Sequence, residues 1–245
     1  MRSVVVFALL MLIKGTGRLL FRHDVSWVGQ VPAGDRWARI RVAALLHHTS
    51  LLEIVYLATV PVRVLWRLAR HGVAPAADVT IRRPFVGRLF RAMAHRVVSI
   101  TRQRDETWEH LLREIGPHAL VLLAPEGRMM RADGRDKRGE PMSIRGGIAD
   151  ILETAGDGRL LLVYSGGLHH VQVPGRGWPR LFQRVRLRLE ALELEGYRSE
   201  MRSRAEAEGS SFKLAVIRDL EARKARNCPF VPGIRRPVTP ESSRP

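Results

Sequence analysis

The sequence predicts an α/β fold: a single domain built on a mixed β-sheet flanked by helices, preceded by an apolar N-terminal helix. Three observations carry that expectation. Apolar or alternating runs of strand length recur at residues 38–46, 97–101, 119–124, 159–164 and 184–190. Amphipathic segments of helix length separate most of them, and Pro- or Gly-containing turns mark many of the joins. At 245 residues, with 45% hydrophobic and 27% charged side chains, the chain can bury a substantial core; this balance suits neither a disordered chain nor a polytopic membrane protein.

Residues 4–13 form an apolar run of about ten residues, half the ~20 that a spanning helix needs. The following Lys14-Gly15-Thr16-Gly17-Arg18 offers no convincing signal-peptide cleavage site. Arg2, Lys14, Arg18 and Arg22 flank the run with positive charge, so the expectation is an interfacial anchor on an anionic membrane surface, with a core helix as the competing reading. The expected organisation is therefore a membrane-associating segment at 1–17, a domain over 18–228 and a disordered Pro-rich tail at 229–245.

Within the domain, 18–28 reads as extended, up to a turn at Pro32-Ala33-Gly34-Asp35. Residues 38–46 read as a strand entering a buried sheet, and Thr49 and Ser50 as caps of a helix running to about Thr59 and stopped by Pro61. Residues 62–68 suit a strand or a helix, and 73–78 a small-residue loop. A helix opens at Pro84, with Phe85, Leu89 and Met93 on its apolar face. Strands at 97–101 and 119–124 bracket a helix at 106–115; then come a charged loop at 131–143, a helix at 144–154 and a strand at 159–164. Residues 184–190 alternate as an edge-type strand, and 200–225 form a charged helix with a possible break at Gly209.

Charge sets this composition apart. A net +17 attracts polyanions: nucleic acid, anionic lipid or phosphorylated substrates. Almost all of it is arginine, which suits bidentate phosphate contacts, although GC-rich codon usage alone also enriches arginine. With 6% aromatic residues and no helix-turn-helix, zinc-finger or aromatic RNA-binding signature, nucleic acid is not the expected partner. The single cysteine, Cys228, excludes an intrachain disulfide and any multi-cysteine metal site.

Three segments can carry chemistry. His48 and Glu53 stand five positions apart between a buried strand and a helix start, so the first helical turn can bring the imidazole and the carboxylate together. The carboxylate would then fix one ring nitrogen as a donor and leave the other to accept a proton from a hydroxyl. The same spacing also occurs in ordinary surface pairs. His47 beside His48 allows a metal reading, but no further ligand set stands at suitable spacing, and no metal is expected. The second segment is Pro125-Glu126-Gly127-Arg128, directly after the apolar run ending at Ala124, at the rim where α/β sheets bind ligands. The third is the strand-like run ending at Thr101-Arg102. Further on, the basic stretch 135–145 followed by Gly146-Gly147 precedes a helix N-terminus, where a phosphate or a coenzyme A anion can be received.

In this order and at these separations, the three segments resemble the glycerolipid and lysophospholipid acyltransferase family, over roughly residues 20 to 170. That family carries an Asn-His-x4-Asp block, a strand ending in Arg, and a Phe-Pro-Glu-Gly-Thr-Arg-like block. The resemblance implies that 18–228 is an acyltransferase domain, with His48 as general base oriented by Glu53. Arg102, with Glu126, Gly127 and Arg128, would hold the acceptor's phosphate, and Leu162 and Val163 would lie on the strand of a fourth block. It further implies transfer of an acyl group from acyl-CoA or acyl carrier protein, as cosubstrate and without other cofactor, to a 1-acylglycerol-3-phosphate-like lysophospholipid. The implied location is peripheral, at the cytoplasmic face of the membrane. The sequence departs from the family pattern at His47 for Asn, at Glu53 for Asp, at Arg128-Met129 for Thr-Arg, and in a fourth block without its Pro. An acceptor other than a phospholipid, such as an aminolipid, is the alternative these departures keep open.

Overall fold

The computed structural model describes residues 1–29, 34–101, 104–173 and 175–229. Arg102 and the tail beyond residue 229 lie outside the described residues, as do Pro32 and Ala33 of the expected turn. A seven-stranded mixed sheet organises the chain, in the order β1-β7-β6-β2-β5-β3-β4. These strands are β1 (Arg22–Trp27), β2 (Ile40–Leu46), β3 (Gly72–Ala77), β4 (Arg96–Ile100), β5 (Leu120–Leu123), β6 (Arg159–Ser165) and β7 (Arg184–Glu193). From β6 to β4 all neighbours pair in parallel. β7 runs antiparallel to β6, and β1 runs parallel to β7, so the last two strands reverse direction.

Both faces are covered, as a largely parallel sheet requires. On one face Val42, Ala44, Leu160, Leu162 and Tyr164 meet α5 (Glu106–Arg113), α6 (Gly147–Thr154), α7 (Leu194–Ala207) and α8 (Phe212–Asn227). On the other, Leu120, Leu161 and Leu189 pack against α1 (Arg2–Leu20) and α2 (Val62–His71). A 3-10 helix, Leu51–Thr59, follows β2. The short α3 (Asp78–Ile81) and α4 (Pro84–Met93) lead into β4.

The mixed, helix-flanked sheet and the N-terminal helix are as the sequence predicts; several elements differ in detail. The apolar helix does not stop near Ile13 but continues to Leu20, so Arg18–Leu20 are helical rather than extended. The reason lies in its partner. Lys14 Nζ donates to the carbonyls of Ala58 (2.8 Å) and Val60 (2.6 Å), and Gly17 lies close enough to Val55 and Ala58 that a Cβ would stand 3.1 Å from both. At 19 residues, with a mean hydropathy of 1.8, α1 is long and apolar enough to cross a membrane by length and composition. Residues 62–68 are helical, with Val64, Leu65, Leu68 and Ala69 buried at helical spacing.

The expected loop at 73–78 is instead strand β3, because its small residues fit between β5 and β4. The 184–190 run is not an edge: β7 continues to Glu193, and β1 pairs with it from Arg184 to Leu189, leaving β1 at the border. The expected helix at 200–225 is two helices, separated at Gly209, which takes a φ of 58°.

Candidate active site

β6, β2 and β5 are neighbours, and the segments that follow their C-terminal ends converge, the position where open α/β sheets place ligands. After Leu46 the backbone turns through His47, held at φ 66°, a left-handed conformation that bulky residues rarely adopt. The turn is clamped from below by Glu126, whose buried carboxylate accepts from His47 N (3.3 Å) and His48 N (2.8 Å). Its negative charge is met by Lys224 of α8 at 3.1 Å, and Lys224 also pairs with Glu221 at 2.7 Å. Met130 N donates to His48 O at 2.7 Å, and Arg145 N to Pro125 O at 2.8 Å, so the two loops brace each other. Gly127 turns the Pro125-Glu126-Gly127 segment with a φ of 66°, which glycine adopts without strain.

His48 Nδ1 donates to Glu53 Oε2, an imidazole–carboxylate pair whose side chains are 18% and 4% exposed. The other oxygen of Glu53 accepts from Thr49 N (2.6 Å), Thr49 Oγ1 (3.0 Å) and Ser50 N (3.2 Å). Ser50 in turn accepts from Leu52 N, so Ser50 and Glu53 form a capping box at the start of the 3-10 helix. Glu53 thus caps the helix and orients the histidine with the same carboxylate. Burial lowers the His48 pKa, but the Glu53 charge and hydrogen bond, with the Glu126 charge behind them, outweigh it and raise the pKa above the ordinary histidine value. With Nδ1 committed to Glu53, Nε2 is the nitrogen left to take a proton.

Behind this pair lies a second tier that spacing along the chain does not signal. His47 Nδ1 donates to Ser165 O at 2.9 Å, and the hydroxyls of Tyr56 and Ser165 are 2.6 Å apart. Leu168 N donates to Thr49 Oγ1 at 2.8 Å, and Ser50 Oγ to Gln172 Oε1.

His48 and Glu53 line a cavity of about 800 Å³. Its inner wall is apolar, with Leu57, Leu68, Leu120, Leu122, Leu161 and Val163. Its other wall carries Gly127, Arg128, Arg145, Gly146 and Lys213. Of the site residues expected from the sequence, His48, Glu53, Glu126, Gly127 and Arg128 come together at this cavity. Their roles in the geometry differ, however. Glu126 spends its carboxylate on the histidine backbone and Lys224, and Arg128 is paired with Asp136. The amides of Arg138 and Glu140, together with Arg128, overcome the effect of burial and hold the Asp136 carboxyl at about 2. Arg145 and Lys213 make no ion pair among the described residues, and Arg145 is exposed.

No family model matches the chain, and no curated protein sequence matches it. Its fold does match a solved structure, the 1-acyl-sn-glycerophosphate (LPA) acyltransferase PlsC from Thermotoga maritima. The two share 21% sequence identity at a TM-score of 0.53, over 92% of this chain and 82% of that one. The chain therefore shares the fold of that acyltransferase.

Proposed function

We propose that the protein is an O-acyltransferase that moves a fatty acyl group from acyl-CoA or acyl carrier protein to the hydroxyl of a lysophospholipid, of the 1-acylglycerol-3-phosphate type. The observation that carries this is the His48–Glu53 pair at the wall of a cavity that is apolar on one side and cationic on the other. The fold shared with an acyltransferase of that class supports it.

Proton traffic follows from the tautomer. Neutral His48, held by Glu53, accepts the acceptor's hydroxyl proton at Nε2 as the oxygen attacks the thioester carbonyl. The carbon–sulfur bond then breaks, and the departing thiolate takes that proton back. The thioester is already activated, so positioning and general-base catalysis suffice without a covalent enzyme intermediate. The Leu and Val wall accommodates the acyl chain. The acceptor's phosphate lies toward Arg128, Arg145 and Lys213, with Gly127 permitting close approach and Arg102 as a further contact expected from the sequence. Glu126 serves this site by holding the backbone of the base.

α1 anchors the protein peripherally at the cytoplasmic face of an anionic membrane. One side of the helix is committed to the 3-10 helix and α2, while Val4, Val5, Leu12 and Leu19 stay exposed on the other. A helix occupied in this way lies along an interface rather than across a bilayer. The pairing of Arg128 with Asp136 favours a second reading, in which the acceptor lacks a phosphate, as an aminolipid acceptor would.

A lipid-panel acyl-transfer assay read by mass spectrometry tests both readings. The wild type is expected to acylate a lysolipid, and His48→Ala to lose about 10²- to 10⁴-fold of that rate. Wild-type turnover in His48→Ala overturns the mechanism, and transfer only to non-phosphorylated acceptors selects the second reading.

A further inference from the structure

The chain that leaves the active site after β6 has two parts of opposite character. Its first part belongs to the site: Leu168 and Val171 are fully buried, and Leu168 and Gln172 are bonded to Thr49 and Ser50. Its second part, residues 175–183, turns outward. Trp178 is 87% exposed, Phe182 60% and Leu181 41%, among the largest exposed apolar side chains of the molecule. Arg176 and Arg180, also exposed, stand between and beside them with no ion pair among the described residues.

The loop's position is fixed by its backbone. Phe182 N donates to Leu20 O at 2.6 Å and Arg22 N to Gln183 O at 3.0 Å, so it is joined to the C-terminal end of α1. On α1, the exposed Val4, Val5, Leu12 and Leu19 fall within roughly a 100° arc at 3.6 residues per turn, an apolar stripe that ends beside the loop. Arg18 and Arg22 stand at the same corner.

Leaving an indole, a phenyl and a leucyl side chain in water is unfavourable unless something covers them. The composition indicates what covers them. Aromatic rings beside unpaired arginines suit the headgroup boundary of a bilayer, where the rings enter the acyl region and guanidinium groups meet lipid phosphates. We propose that loop 175–183 is a second membrane contact: Trp178, Leu181 and Phe182 insert into an anionic bilayer, and Arg176 and Arg180 bind its headgroup phosphates. This rests on the reading of α1 as an interfacial anchor and adds to it. A helix alone can roll about its axis on a surface, whereas a helix with a loop fixed at one end cannot. Because the base of the loop is bonded to the Thr49–Ser50 segment, this contact also sets how the catalytic pair faces the lipid.

The test is binding of the full chain to vesicles of phosphatidylcholine, with and without phosphatidylglycerol, measured by co-sedimentation. Trp178→Ser/Phe182→Ser should weaken binding about tenfold or more, and Arg176→Glu/Arg180→Glu should abolish the preference for the anionic vesicles. The emission lost on Trp178→Phe should be the part that shifts blue on vesicles and is quenched by brominated acyl chains. Leu12→Asp on α1 is the companion variant. If Leu12→Asp loses binding while both loop variants keep wild-type affinity, the helix anchor stands and the loop contact is overturned. If the loop variants instead abolish self-association and leave vesicle binding unchanged, the patch docks a second copy of the chain and the proposal also falls. Vesicle binding is read without acyl transfer, so an inactive protein that still binds through the loop would count against the enzyme reading alone.

Discussion

The two sides of the cavity are built differently. On the histidine side the carboxylates that hold the proposed base are bonded several times over: Glu53 accepts from His48, Thr49 and Ser50, and Glu126 holds two backbone amides while Lys224 balances its charge. On the opposite side Arg145 and Lys213 line the cavity with no ion pair among the described residues, while Arg128 is tied down by Asp136 and Arg104 by Asp150. A group that transfers protons needs one geometry, and the density of bonds around His48 enforces it. A group that attracts an anionic headgroup works through charge and tolerates several poses. Substitutions on the first side should therefore cost stability or turnover, and those on the second should cost binding alone.

The largest effect that sharpens this contrast is expected just behind the cavity, at a residue 98 positions along the chain from Glu126. Lys224→Met removes the cation from a pair in which both side chains are almost fully buried, and leaves the Glu126 carboxylate uncompensated beneath His48. Breaking a buried pair in this way costs about 3–5 kcal/mol. Urea unfolding should report a loss in that range, and the double variant Glu126→Gln/Lys224→Met should recover a good part of it. A loss below about 1 kcal/mol would mean that Glu126 is held well enough by the two amides, and that the clamp does not reach across to α8.

Glu53→Gln comes next, and its signature is a pH profile. Base catalysis needs neutral His48, and its pKa is raised, so activity should climb as pH rises through a value above the ordinary ~6.5. In Glu53→Gln the larger raising charge is gone while burial and the weaker Glu126 charge remain, so the acidic limb should move to lower pH. The plateau should fall about ten- to a hundredfold, mostly in kcat, because the ring loses its orienting partner. The same linkage acts on stability. A histidine with a raised folded pKa stabilises the protein fully below ~6.5, and that contribution fades as pH passes the folded value. An unmoved acidic limb in Glu53→Gln would reduce the carboxylate to its helix-capping role.

These contrasts also show what a linear sequence can and cannot reveal. β2, β5 and β6 are visible as apolar runs because they are buried in the middle of the sheet, and His48–Glu53 is visible because a capping box closes over so few residues. β3 escapes notice because Gly-Val-Ala-Pro-Ala-Ala has neither alternation nor bulk; its place is set by the strands on either side. Strand β7 resembles an edge because its arginines alternate with buried residues, while the strand that covers it, Arg-His-Asp-Val-Ser-Trp, has a weak pattern. Glu126 is the instructive residue. A Pro-Glu-Gly turn suggests a carboxylate at the rim, yet the carboxylate turns under the histidine loop. The compensating lysine lies 98 residues away on α8, and no local pattern announces such a partner.

The smallest expected effect tests the loosely bonded side. Arg145→Gln and Lys213→Gln each remove one unpaired cation from the cavity wall while leaving every bond around His48 in place. Each should raise KM for an anionic lysolipid about threefold to tenfold, about 1 kcal/mol of charge attraction, with kcat nearly unchanged and the melting temperature unmoved. Increasing salt should shrink the difference from wild type, since exposed charges are screened over about 10 Å at 0.1 M ionic strength. An uncharged acceptor should show no difference at all. If instead kcat falls with KM constant, these cations act on the transition state, and the wall is as exacting as the base it faces. The division between a rigid proton-transfer side and a permissive binding side would then have to be given up.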